Sequence, residues 1–240
     1  MKQLVAAAVL SLSAIAYPAQ AADRVWVTHG WAGYVIRNVG GSFAQVRGSW
    51  VQPRVVCNRP GSSVAFWLGL GGATESSRAL EQIGTAADCS ESGRLSYSVW
   101  FQLFPSPPVD VPLTLRAGDV VTAVVAVTGW IVTIDLRNES TGAAFSTELW
   151  MRYPETDTAE WIVEAPSACF VTCFDLPLAQ FSRMHFLDAS AAAETHTGSI
   201  GDSAWIRRRL EIADTRGKRR AVTGPLSEDG SSFAVVRHRE

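Results

Sequence analysis

The chain has no run of the roughly 20 apolar residues that a membrane-spanning helix needs. It shows little of the 3.6-residue apolar period of an amphipathic helix, and its net charge is only −2 over 240 residues. These absences argue against a helical membrane anchor, a helical fold, and any partner steered by overall charge, such as nucleic acid or an anionic membrane. Chemical signatures are equally sparse. There is no Gly-x-Ser-x-Gly elbow, no His-x-x-x-His pair and no phosphate-binding glycine loop, and the histidines at 29, 185, 196 and 238 stand without a motif. Serine hydrolase, histidine-ligated metal and nucleotide-dependent chemistry therefore lack their residues. Carboxylates and amides remain, and no cofactor or metal is expected.

Cysteine is scarce too, with four residues at 57, 89, 169 and 173. An even number in an exported chain argues for two disulfides, Cys169–Cys173 closing a short loop and Cys57–Cys89 a longer one. Zinc is a poor alternative for the Cys-x3-Cys pair, because the nearest following histidine, His185, is twelve residues beyond Cys173. Export is itself read from the start of the chain. Met1 to Ala21 carry a lysine, an apolar run from Leu4 to Ala16 and the small-x-small pattern Ala19-Gln20-Ala21, the marks of a cleaved signal peptide. The expected location is secreted or periplasmic, with residues 22–240 forming one domain.

What the chain has in quantity is β-branched and aromatic runs broken by Gly, Pro, Asn and Asp: YVIRNV, FAQVRGSWVQP, SVAFWLGL, LSYSVWFQLFP, DVVTAVVAVTGWIVTIDLRN, AAFSTELWM, AEWIVEA and FSRMHFLD. Many short strands at this spacing predict an all-β sandwich. RNESTGAAF and SEDGSSFAVV place turns between strands. The basic clusters Arg207–Arg209 and 216–220 read as a solvated hairpin, with Trp205, Ile206, Leu210 and Ile212 interleaved with the arginines, and the stretch from Ala189 to Gly201 reads as a coil crossing between strands.

AEWIVEAP, residues 159–166, is the most informative segment. As a strand it puts Glu160 and Glu164 on one face and Trp161 and Val163 on the other, with the two carboxylates about 13 Å apart at roughly 3.3 Å per residue. That spacing is too wide for the pair of a glycoside hydrolase, which needs about 5–9.5 Å.

Taken in order, Gly30-Trp31-Ala32-Gly33-Tyr34, VRGSWVQP, Trp67-Leu68-Gly69, Leu80-Glu81-Gln82-Ile83-Gly84, YSVWFQLFP, AEWIVEAP and LPLAQF resemble the glutamic peptidases, also called eqolisins. The resemblance implies two curved antiparallel sheets packed as a lectin-like sandwich. It further implies a secreted, acid-active, metal-independent endopeptidase, monomeric and acting on protein or peptide substrates. Its catalytic glutamine falls on Gln82 and its glutamate on Glu164, with Trp67, Trp31, Gln102 and Glu160 expected to contact substrate. A carboxylate with an ordinary pKa near 4 would take a proton from water in mild acid, and the Gln82 amide would stabilise the oxyanion.

The chain departs from the family at three acidic positions, where it has Gly71, Ala86 and Gln102, and this points to a milder pH optimum. Glu75, Glu81 and Asp88 are the nearby acids able to compensate. The family's long pro-segment is also missing, with only about nine residues between Ala21 and Trp31. A non-catalytic glycan- or peptide-binding module of the same fold is the alternative.

Overall fold

A computed structural model of the protein describes residues 24–74, 76–169 and 173–238, with the side chains of 168–175 left out. The expected signal peptide and Glu75 therefore lie outside the described residues. Those described form strands and turns without a helix.

One hydrogen-bonded path runs through Ala144–Trp150, Ile131–Asn138, Val120–Thr128, Phe43–Val51, Met184–Ala193, Phe233–Arg237, Arg219–Thr223, Trp205–Ala213, Trp31–Asn38, Thr158–Glu164, Ser63–Gly71, Leu80–Cys89, Leu95–Phe104 and Val109–Val111. The two expected sheets are the two halves of this path, which folds back on itself through its middle strands. Pairing along it is antiparallel. The short strand Val25–Thr28 is an exception, lying parallel to Trp205–Ala213.

Alternation of apolar side chains drives the folding back. Phe66, Leu68, Leu70, Ile83, Trp161 and Val163 share a core cluster with Val46, Trp50, Val121, Val125, Ile134 and Phe186 from the opposing half. Three indole and hydroxyl bonds fix how the layers meet. Trp50 Nε1 donates to Thr85 Oγ1 at 3.2 Å, Thr85 Oγ1 to Gln52 Oε1 at 2.7 Å, and Trp161 Nε1 to the Arg47 carbonyl at 2.8 Å. Each of these three donors thereby finds an acceptor inside the core. Truncating a buried tryptophan such as Trp161 to alanine would cost about 3–5 kcal/mol.

The predicted turns are present. Residues 139–143 join Ile131–Asn138 to Ala144–Trp150, and Asp229-Gly230 turns the chain ahead of Phe233–Arg237. The arginine-rich strands Trp205–Ala213 and Arg219–Thr223 form the expected hairpin, with Arg219 2.9 Å from Glu211 and Arg220 2.9 Å from Asp214. The stretch 189–201 is not a coil. Met184–Ala193 is a strand whose small residues Ala189 and Ala191 are buried, and Thr197–Ser199 folds back on it. Small side chains had hidden an alternating pattern.

Cys57 and Cys89 are bonded, tying the segment ahead of the Ser63–Gly71 strand to the end of the Leu80–Cys89 strand. Cys169 and Cys173 stand directly opposite each other across a two-strand ladder. The expected bridge between them involves side chains outside the described residues.

Candidate active site

The half built from Trp31–Asn38, Thr158–Glu164, Ser63–Gly71, Leu80–Cys89 and Leu95–Phe104 has its second face turned away from the core. A smaller cluster lies there, with Val35, Ala65, Trp67, Leu80, Ile162 and Leu210 packed by Trp31, Ala73 and Trp100. Glu160 and Glu164 share this face as predicted, and so do Gln82 and Gln102.

The ladder registers arrange these residues in rows. Glu164 lies opposite Trp31 on one side and Ala65, then Ala86, on the other. One row along, Ile162 is level with Trp67, Gly84 and Trp100. In the next row Glu160 is level with Gly69, Gln82 and Gln102. Gln82 and Glu164 thus sit diagonally across Trp67. They are two strands and four residues apart, about 16 Å between Cα atoms on a flat sheet. That span is divided between the two side chains and any peptide group lying between them.

Two glycines let the rows pack this closely. A Cβ on Gly84 would lie 2.5 Å from Trp67 Cβ, and one on Gly69 would lie 3.0 Å from Gln82 Cβ.

Glu164 is held by indoles. Trp67 is fully buried and its Nε1 donates to Glu164 Oε2 at 2.7 Å. Trp31 packs edge-on against Trp67, with ring centroids 5.0 Å apart, and its indole adds to the pull that lowers the Glu164 carboxyl. Burial nevertheless prevails over these donors and pushes the Glu164 carboxyl up to about 7. The expectation of an ordinary acidic pKa at this position is corrected, because removing a carboxylate from water disfavours its charge more than the neighbouring indoles restore it.

The Gln82 amide is nearly buried, and its Nε2 donates to Gln102 Oε1 at 2.8 Å. Gln102 Nε2 in turn donates to the Ser106 carbonyl at 2.8 Å. Each member of this amide chain therefore has a fixed direction.

Two expected substrate contacts have no exposed surface. Trp67 and Glu160 are each 0 % exposed. Trp67 acts as floor and as the donor to Glu164. Glu160 lies beneath the groove surface, which also removes it from any paired-carboxylate glycosidase. Trp31 and Gln102 are partly exposed and can reach a ligand.

The neighbouring acids behave differently from expectation. Glu81 alternates with Gln82 and so faces the core beside Ile83, a placement the Leu80–Glu81–Gln82–Ile83 pattern itself encodes. There its Oε1 accepts the Glu155 backbone N–H at 3.3 Å, and burial pushes its carboxyl up to about 8. Asp88 is exposed and takes the Ser63 hydroxyl. Gly71 has φ +79°, and a Cβ there would come within 2.5 Å of the Glu155 carbonyl oxygen. An aspartate at this position is incompatible with the local backbone path.

No cluster of three or more potential metal ligands occurs among the described residues. The face therefore combines a buried carboxyl, an oriented amide and aromatic walls on an all-β sandwich. The sequence profile of the peptidase A4 family matches residues 29–231, and the chain belongs to that family. Among solved structures it is similar to scytalido-glutamic peptidase in complex with a peptide-based transition-state analogue, with 20% identity and a TM-score of 0.75 over 88% of this chain and 98% of that one. It is similar also to SCP-B, described as a member of the eqolisin family of peptidases, in complex with the tripeptide Ala-Ile-His, with 19% identity and a TM-score of 0.72 over 88% and 98%. Aspergilloglutamic peptidase from Aspergillus niger matches at 24% identity and a TM-score of 0.61 over 74% and 99%. At these identities the structural likeness establishes the fold. No curated protein matches the chain in sequence.

Proposed function

We propose that the protein is an exported glutamic endopeptidase that cleaves protein or peptide substrates with Glu164 as general base and acid and Gln82 as oxyanion stabiliser, without a metal. The observation that carries this reading is the Glu164 carboxyl, desolvated yet held by the Trp67 and Trp31 indoles on the face it shares with Gln82.

Ionised Glu164 takes a proton from water as the water attacks the scissile carbonyl, then returns it to the departing nitrogen. A base of pKa about 7 is a stronger proton acceptor than an ordinary glutamate. It is also largely protonated in acid, with about 1% ionised at pH 5. Working activity accordingly extends toward neutral pH, in keeping with Gly71, Ala86 and Gln102 at the family's acidic positions. Gln82 has one amide proton committed to Gln102 and one left for the developing oxyanion.

Hydrolysis of a denatured protein across pH 2 to 8 tests the reading, with chelator present to check metal independence. Glu164→Gln should abolish turnover on a folded protein. Gln82→Ala should lower kcat by about 10²–10³. Peptide binding without turnover in the wild type would instead assign the protein to the non-catalytic binding modules, and zinc-restored activity after chelation would overturn the carboxyl–amide mechanism.

A further inference from the structure

Four side-chain oxygens in or next to the Glu160 row are buried with no protein partner: Gln82 Oε1, both oxygens of Glu160, and Thr158 Oγ1. Each would cost about 1–3 kcal/mol if left unsatisfied, so a cluster of four in one place calls for a common explanation. Their placement supplies it. Gln82 spends its Nε2 on Gln102, so its carbonyl oxygen is turned away from Gln102. Next to it in the row comes Gly69, which has no side chain, and then Glu160. The two strands are about 9.6 Å apart; Gly69 contributes no side chain to the gap, and Leu80 Cδ1 comes within 3.1 Å of where its Cβ would stand. Thr158 lies two residues before Glu160 on the same face, and its hydroxyl neighbours the Glu160 carboxyl.

Resting on the reading of Gln82 as oxyanion donor, we propose that Glu160 is a positioning residue: its carboxylic O–H donates to Gln82 Oε1, directly or through one water. The resulting chain runs one way, from the Thr158 hydroxyl through Glu160, Gln82 and Gln102 to the Ser106 carbonyl. The chain satisfies all four orphan oxygens and leaves no freedom in the Gln82 amide. A flipped amide would present its carbonyl oxygen to the oxyanion, so the chain selects the reactive orientation.

The surroundings keep the proton in place. Burial acts most strongly on Glu160, and Glu81 two strands away and Asp157 just ahead of its own strand add to it. Of the nearby cations, Arg37 on the adjoining strand lies 3.9 Å from Asp157, and Arg208 on the strand beyond is stacked over Trp26.

The test compares two shape-conserving variants. Glu160→Gln retains a donor and an acceptor, whereas Glu160→Met retains neither. We expect Glu160→Gln to keep kcat within a few-fold of wild type and Glu160→Met to lose kcat about tenfold or more at unchanged KM, the ceiling being the roughly 10²–10³ of a lost oxyanion donor. In wild type kcat should fall on the alkaline side as Glu160 ionises, and this limb should be missing in Glu160→Gln.

An activity-independent readout is the infrared C=O band of the protonated carboxyl at pH 6, assigned by its loss in Glu160→Gln. It should shift in Gln82→Leu. Wild-type kcat in folded Glu160→Met, equal damage in both Glu160 variants, or a band indifferent to Gln82→Leu would each overturn the proposal. Absence of turnover in the wild type would remove the peptidase reading and leave the hydrogen-bond chain to stand or fall on the band alone.

Discussion

Raising the pH from 4.5 to 8 should destabilise this fold severely, because its buried carboxyls are stable only as acids. Glu81 is pushed from an unfolded value of 4.5 up to about 8 and Glu164 up to about 7, in both cases mainly by burial, and Glu160 is raised in the same direction. A group whose folded pKa is raised binds its proton more tightly in the native state. Its contribution to stability is therefore complete below the unfolded pKa and is lost as pH climbs through the folded one. At about 1.4 kcal/mol per unit, Glu81 and Glu164 together could contribute up to about 8 kcal/mol across this window. Glu164 keeps some contact with solvent and buried sites relax when charged, so about half of that, roughly 4 kcal/mol, is the working figure. Against a total stability of about 5–15 kcal/mol, and at about 2–4 °C per kcal/mol for a chain of this size, the melting temperature should fall by roughly 8–16 °C. Asp202, Asp214 and Asp229, near the surface and with carboxyls lowered by hydrogen bonds, act oppositely and only at lower pH. Thermal melts followed by circular dichroism from pH 3.5 to 8.5 would display the slope, and Glu81→Gln should remove the larger share of it. A melting temperature that is flat or rises between pH 5 and 8, or an unchanged slope in Glu81→Gln, would refute the reasoning.

Trp67→Phe keeps the aromatic floor but deletes the donor to Glu164 Oε2, so the Glu164 pKa should rise above about 7; the acid limb of the kcat/KM profile should move to higher pH, and an unmoved limb would show that the indole does not tune the base. Gly71→Asp, which restores a family acid, should destabilise by about 1–3 kcal/mol or more through its left-handed backbone alone, read as a lower denaturant midpoint with no gain in activity at low pH. Cys57→Ser with Cys89→Ser opens a link spanning 32 residues and should cost about 2–5 kcal/mol, measured by urea unfolding.

Much of the architecture was readable from local pattern. Alternation in AEWIVE set the strand, its faces and the shared side of Glu160 and Glu164, and Asn-Glu-Ser-Thr-Gly and Asp-Gly located two turns. Pairing register was not readable, because it depends on residues distant in sequence. Only the ladders reveal that Gln82 is level with Glu160 rather than with Glu164. Burial of Glu160 and Glu81 was hidden for a related reason: a carboxyl in a sequence looks solvated until its neighbours across the sheet are known. The poly-alanine stretch around Ala189 misled because small residues carry little hydrophobic contrast, although their alternation was present. Gly71 looked like a lost acid, whereas its backbone conformation excludes one.

The glycines under the groove matter for mapping function by mutation. Gly84 lies against Trp67, and a methyl group there would meet that side chain's Cβ and the Phe66 carbonyl oxygen at 2.5 Å. Displacing Trp67 would pull the indole from Glu164, so Gly84→Ala should inactivate the protein as thoroughly as a change in a reacting group while touching no substrate. A saturation screen scored on turnover alone would therefore draw a halo of essential positions around the chemistry, and Gly84 and Gly69 would head it. Only a parallel screen for folded protein retaining a buried Trp67 would separate the scaffold that seats the reacting groups from the groups themselves.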